Sequence, residues 1–260
     1  MLLVVAFVRW RRGQLQAVPG VLRAGAAPLL EGFVLYLFLT VSPAFLPLIG
    51  RMPRWLAAER TVAVTVALLL GSDLLSLLAV LYLGTRLRAL GLSLAEIGLH
   101  AQNLGRNILF GLGGYAAALP LVIGSGLLAG WLGHRYFPQV APPFHPIEAL
   151  TLSAPATWIR LALLIVAAVG APVLEEIFLR GLLYGALRRR FGVAWGIVAS
   201  AAVFASLHPQ LPLGFLPIFV LGAVLAGLYE WRQSLIPGMV LHAVNNGVIW
   251  VYLNLLFPPG

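Results

Sequence analysis

Apolar runs of roughly 20 residues recur along the chain, and they constrain its fold more than any other feature. They fall at residues 28–49, 61–84, 107–132, 157–187, 193–208, 213–231 and 235–257. A helix of about 20 residues spans the ~30 Å hydrocarbon core of a bilayer. Backbone in lipid must satisfy its own hydrogen bonds, so such runs are helices. The charged fraction agrees: 10% of 260 residues, against 61% hydrophobic, where a soluble domain carries about 25% charge. The predicted fold class is all-α, a polytopic transmembrane helix bundle of about seven to eight spans. Residues 1–156 form its N-terminal membrane segments and 157–257 its core, in one integrated membrane domain.

The net charge is +9, and all 17 basic residues are Arg. They are scattered between apolar runs, so no nucleic-acid partner is expected; the bilayer itself is. Arg188, Arg189 and Arg190 form the densest basic cluster and mark a cytoplasmic end. Arg86, Arg88 and Arg232 fall on the same side, and the N-terminus is then inside, whereas Arg51, Arg54 and Arg60 fall on the other side. Cysteine is absent, which excludes disulfides, thiolate metal sites and a Cys nucleophile. In "MLLVVAFVRWRR" the charge follows a short apolar stretch, so no cleaved signal peptide is expected.

Three connecting features carry expectations of their own. Residues 91–106, "GLSLAEIGLHAQNLGR", place Leu94, Ile97, Ala101 and Leu104 at helical spacing among polar residues. With Ser93 and Glu96 at capping-box spacing, this predicts an interfacial amphipathic helix, with His100 exposed on it. Residues 133–156 are Pro-rich and read as the longest extramembrane loop. Gly126 and Gly130, four apart, suggest helix packing. No Walker A, dinucleotide-binding or HExxH pattern occurs.

The informative residues are polar ones inside apolar runs. Glu31 lies near the start of the first run and Asp73 inside the second. "VGAPVLEEIFLRG" places Glu175, Glu176 and Arg180 within six residues of a membrane helix. Each would be disfavoured by roughly 2.5–3.5 kcal/mol at mid-bilayer. Glu176 and Arg180 are four apart, share a face and neutralise each other. Glu175 is rotated by about 100° from Glu176 and has no partner on its own helix. That leaves it available as a general base, with a structural ion-pair network between helices as the competing reading. "VFASLHPQ" adds His208, with Phe204 one turn before it. "LHAVNNG" adds His242 and Asn246, four apart, with Asn245 beside them. Intramembrane polar residues of this kind face the bundle interior or bond between helices.

The ordered triple Glu-Glu-x-x-x-Arg, Phe-x-x-x-His and His-x-x-x-Asn, on three separate spans, resembles the CPBP family. That family joins the type-two CAAX prenyl proteases with bacteriocin-processing and immunity-type membrane proteins of prokaryotes. The resemblance covers residues 157–257 and implies a CAAX-protease-like catalytic core there. It implies an intramembrane endopeptidase acting on membrane-associated protein or peptide substrates. Carried onto this sequence, Glu175 activates water with help from His208. His242 and Asn246 stabilise the oxyanion, and Glu176 with Arg180 holds Glu175 in place. A metallo-endopeptidase is the alternative mechanism, with Glu175, His208 and His242 as Zn ligands; the reading without a cofactor is favoured, because a glutamate-activated water needs no metal. Two further readings stay open: a non-catalytic immunity or regulatory protein of the same family, and a proton-coupled transporter. The expected location is the membrane, as an integral protein of a prokaryotic inner membrane.

Overall fold

The computed structural model describes residues 31–36, 62–139, 151–152, 157–208 and 210–256. Most of the expected first span, the basic residues Arg51, Arg54 and Arg60, and most of the Pro-rich loop lie outside the described residues. Among those described the structure is helical throughout, with no strand. Residues 31–36 are helical. α1 covers Val62–Ala89 and α2 Leu104–Tyr136. A long helical run follows: α3 Thr157–Ile165, a π-helical turn Val166–Gly170, α4 Ala171–Glu175, a π-helical stretch Glu176–Tyr184 and α5 Gly185–Ser206. α6, Phe215–Arg232, and α7, Ile236–Leu256, complete it.

Among the described residues, four helical segments are long and apolar enough to cross a membrane: Leu104–Tyr136, Trp158–Ser206, Phe215–Arg232 and Ile236–Leu256. That is fewer than the seven to eight expected. The first span lies mostly outside the described residues, and the spans expected at 157–187 and 193–208 run together. A straight helix of 49 residues at about 1.5 Å per residue would be over twice the bilayer core. The run instead turns at Gly192, whose φ of 81° and ψ of 176° are non-helical, directly after the Arg188–Arg190 cluster. Large side chains on the outer faces are open, among them Leu74, Leu109, Leu127, Trp195 and Leu255. Apolar exposure on this scale has no place on a soluble monomer and suits lipid.

The core is built where the run Trp158–Ser206 meets α1, α6 and α7. Phe178, Leu182, Tyr184, Phe204, Leu225 and Leu241 are fully enclosed in it. α2 packs on α7 through Gly111, where a Cβ would lie 2.6 Å from Val240 Cβ and 2.8 Å from the Pro237 carbonyl oxygen. The expected packing pair, Gly126 and Gly130, has nothing within 4 Å of either position. Small residues permit close approach but do not say which face meets a neighbour.

The interfacial helix expected at 91–106 is not formed. Leu94–Ile97 makes one 3-10 turn that ends at Gly98, with φ 87°. The Ser93 side chain makes no capping bond, so the capping box is absent. The segment is drawn into the bundle instead. Ile97 is buried, its carbonyl accepts from the Tyr229 hydroxyl at 2.9 Å, and the Gly98 carbonyl accepts from the Leu235 N–H at 2.9 Å. His100, expected to be exposed, is half-buried and sits 3.2 Å from the Gln233 carbonyl oxygen. These backbone bonds to the α6–α7 turn replace the intrahelical bonds that a surface helix would make.

Candidate active site

Pro172 sets the local geometry of the site. It has no N–H, so the carbonyl five residues before it cannot be met in a π-helical turn. The Ala171 N–H bonds back to Val166 O, so it does not serve Ala167 in the α-helical manner either. The Ala167 carbonyl is left over, and Asn246 Nδ2 on α7 donates to it at 2.8 Å. The proline thus creates the acceptor that ties α7 to this run. π-helical turns of this kind recur at functional sites.

Three turns of chemistry follow from that junction. Glu176 and Arg180 are fully buried, with Arg180 Nη1 3.1 Å from Glu176 Oε1. The charges are close, but the pair is not aligned as a hydrogen bond: Arg180 Nη1 and both Glu176 oxygens have no hydrogen-bond partner. Arg180 Nη2 reaches the Gly222 carbonyl oxygen at 3.4 Å. Gly238 leaves room for the carboxylate, since a Cβ there would lie 2.6 Å from Glu176 Oε2.

Glu175 lies on the next face and is partly open, with a side-chain exposure of 21%. Its Oε2 is buried and has no hydrogen-bond partner. His242 stands between the two acids. Its Nε2 is 3.9 Å from Glu175 Oε2 and its Nδ1 is 3.5 Å from Glu176 Oε1. At 3.9 Å the Glu175 oxygen is not occupied by the imidazole.

Phe204 joins the parts. Its ring is fully enclosed. The Arg180 guanidinium lies 4.5 Å from its centroid, a cation–π contact. The rings of His208 and His242 meet it edge-on at 4.5 and 5.7 Å. His208 Nδ1 is 2.8 Å from the Phe204 carbonyl oxygen. A carbonyl only accepts, so Nδ1 carries the hydrogen, and in that tautomer Nε2 is the acceptor atom.

A cavity of about 130 Å³ gathers most of these groups. Glu175, His208, His242 and Asn246 all line it, together with Asn245, while Glu176 and Arg180 lie behind its wall. Every motif residue of the sequence is therefore at this site, five lining the cavity, Phe204 among them, and two behind it. Gln210 and Trp250 also line it, and sequence spacing gave little notice of them. Trp250 does fall on the stripe His242, Asn246, Trp250, Asn254, at steps of four on α7. Asn254 anchors that stripe by accepting from Arg160 Nη1 at 3.0 Å.

Glu175 and His242 adjoin and His208 shares their cavity, but no group of three His, Asp or Glu gathers as a ligand set among the described residues. Nδ1 of each imidazole faces a protein oxygen, as it also would in a metal-bound histidine, so spacing alone decides. As they stand, the donors do not converge as a three-ligand metal site among the described residues.

The long apolar helices of the bundle mark an integral membrane protein. Residues 156–248 match the family model described as type II CAAX prenyl endopeptidase Rce1-like, and this part of the chain is similar to that family. The matched residues take in all three motifs. No curated protein and no solved structure matches the chain.

Proposed function

We propose that the protein is an intramembrane endopeptidase in which Glu175 activates the attacking water. The observation that carries this reading is the buried Glu175 Oε2, without a hydrogen-bond partner, in a cavity it shares with His208, His242 and Asn246. A buried carboxylate oxygen left in this state destabilises the fold, and such exceptions call for a use. A water held by Glu175 and His208 Nε2 attacks the peptide carbonyl carbon and gives its proton to Glu175. The oxyanion meets His242 Nε2–H and the second N–H of Asn246 Nδ2, whose first is fixed on Ala167 O. Such donors are worth several kcal/mol when preorganised. As the C–N bond breaks, the Glu175 proton passes to the leaving amine. Glu176 lies behind His242, 3.5 Å from its Nδ1, and Arg180 offsets the Glu176 charge.

Clustering of the polar groups around one cavity favours hydrolysis over a proton path through the bundle. The completeness of the motif set favours an active enzyme over an immunity or regulatory relative. The substrate class is a membrane-associated protein or peptide, and a prokaryotic inner membrane is the proposed location. The test is purified protein in nanodiscs with a pool of transmembrane peptides, cleavage read by mass spectrometry. Glu175→Ala and His208→Ala should each abolish cleavage while the fold survives. Activity retained in either variant would overturn the mechanism. Chelation should leave cleavage intact; loss restored by added Zn would replace the metal-free step with the metallo alternative.

A further inference from the structure

Two polar atoms in the cavity wall have no part in the mechanism above. Trp250 Nε1 and Gln210 Oε1 are buried and have no hydrogen-bond partner, and both residues line the cavity. A buried indole N–H ordinarily finds an acceptor. Among the neighbouring amides, Asn246 donates to Ala167 O and its Oδ1 accepts from Asn245 Nδ2 at 3.2 Å.

Both residues are also held in place. Asn254 Nδ2 donates to the Trp250 carbonyl at 2.9 Å, and Trp250 belongs to the α7 stripe that carries His242 and Asn246. Gln210 closes a turn in which the Gly214 N–H donates to the Gln210 carbonyl at 2.7 Å. That turn requires glycine at 214: a Cβ there would collide with Gln210 Cβ and lie 2.8 Å from the Gln210 carbonyl oxygen. The lining therefore includes an unpartnered donor and an unpartnered acceptor on residues whose backbones are tied, beside the apolar side chains Ile218, Leu221, Ile249 and Leu253. A peptide unit carries one acceptor and one donor, and an apolar pocket with a few placed polar groups is how ligands are oriented.

We propose that Trp250 and Gln210 are substrate-positioning residues that hold the main chain of a peptide: the Trp250 indole N–H donates to a peptide carbonyl, and Gln210 Oε1 accepts from a peptide N–H. The ligand class is an extended peptide segment with an aliphatic side chain. The proposal rests on the endopeptidase reading, and binding can be measured apart from turnover.

The full chain, with [15N]-indole tryptophan and Glu175→Gln to prevent turnover, is placed in nanodiscs. The Trp250 Nε1–H resonance is assigned by its loss in Trp250→Phe. The probe is acetyl-Ala-Leu-Ala-methylamide, with an analogue methylated on the leucine nitrogen and another on the C-terminal alanine nitrogen. The parent peptide should move the Trp250 indole proton downfield. One of the two analogues should bind roughly tenfold more weakly, the effect of one neutral hydrogen bond left unmade. Gln210→Leu should remove that discrimination without stopping binding of the parent. An unmoved indole at the highest attainable peptide concentration overturns the proposal, as does discrimination that survives Gln210→Leu. If the peptide binds as described and the unsubstituted enzyme cleaves nothing, the chemistry of Glu175 is wrong and this positioning role stands. Cleavage with an unmoved indole has the opposite meaning.

Discussion

Glu230 and Glu175 are both acids on apolar helices of the same bundle, and their surroundings differ in kind. Glu230, near the end of α6, is fully buried and fully served. Arg188 approaches it with two nitrogens, Nε to Oε2 at 2.7 Å and Nη2 to Oε1 at 2.8 Å. The Tyr184 hydroxyl adds a third bond, to Oε2 at 2.8 Å. Bidentate geometry of this kind is the strongest form of the pair. At the other cluster Glu175 Oε2, both Glu176 oxygens, Arg180 Nη1 and His242 Nδ1 lack hydrogen-bond partners. Charge is balanced between Glu176 and Arg180, but hydrogen bonding is not. A buried carboxylate with both oxygens hydrogen-bonded serves the fold. One held among near neighbours that do not bond it is poised to bind something else.

Substitutions can break that contrast at several levels. The largest effect is expected from Arg188→Ala, which strands the Glu230 charge in the bundle. It should lower unfolding stability by about 3–5 kcal/mol, measured by denaturation in mixed micelles; a change within error would show that Glu230 is not a structural centre. Gly238→Ala comes next. Its Cβ would press on Glu176 Oε2, and a clash in packed surroundings costs about 1–3 kcal/mol. Cleavage should fall with stability, because Glu176 packs beside His242, 3.5 Å from its Nδ1. Glu175→Leu should act in the reverse sense, leaving stability unchanged or raised by about 0.5–2 kcal/mol with cleavage gone. A large loss of stability there would make Glu175 an ordinary structural ion. The smallest effect belongs to the exposed pair Arg86–Glu31, 3.2 Å apart with both side chains about half open. Arg86→Ala should cost no more than about 0.5 kcal/mol in the same denaturation measurement.

Sequence spacing identified one of these clusters and passed over the other, for physical reasons. Glu176 and Arg180 interact within one helical turn, so i to i+4 spacing reveals them. His208, His242 and Asn246 stand out as polar residues inside apolar runs. Glu230 escaped notice because its partners are 42 and 46 residues away on another helix, and Arg188 reads as part of a cytoplasmic cluster. The interfacial helix failed for a similar reason. Helical periodicity in Leu94, Ile97, Ala101 and Leu104 does not report the α6–α7 turn that pulls Ile97 and Gly98 inward. Pro172 is visible in the sequence, yet its consequence is not. Only with α7 in place does the Ala167 carbonyl that it leaves over become an anchor for Asn246.

The contrast between the two acids is tested most directly by making the same isosteric change in each. Glu175→Gln and Glu230→Gln are assayed side by side for peptide cleavage in nanodiscs and for thermal unfolding. The account predicts that Glu175→Gln loses cleavage by at least about 100-fold, the lower range for a general base, at an unfolding temperature no lower than that of the unsubstituted protein. Glu230→Gln should retain cleavage per folded molecule and unfold at lower temperature. Cleavage at an unchanged rate in Glu175→Gln would contradict the account.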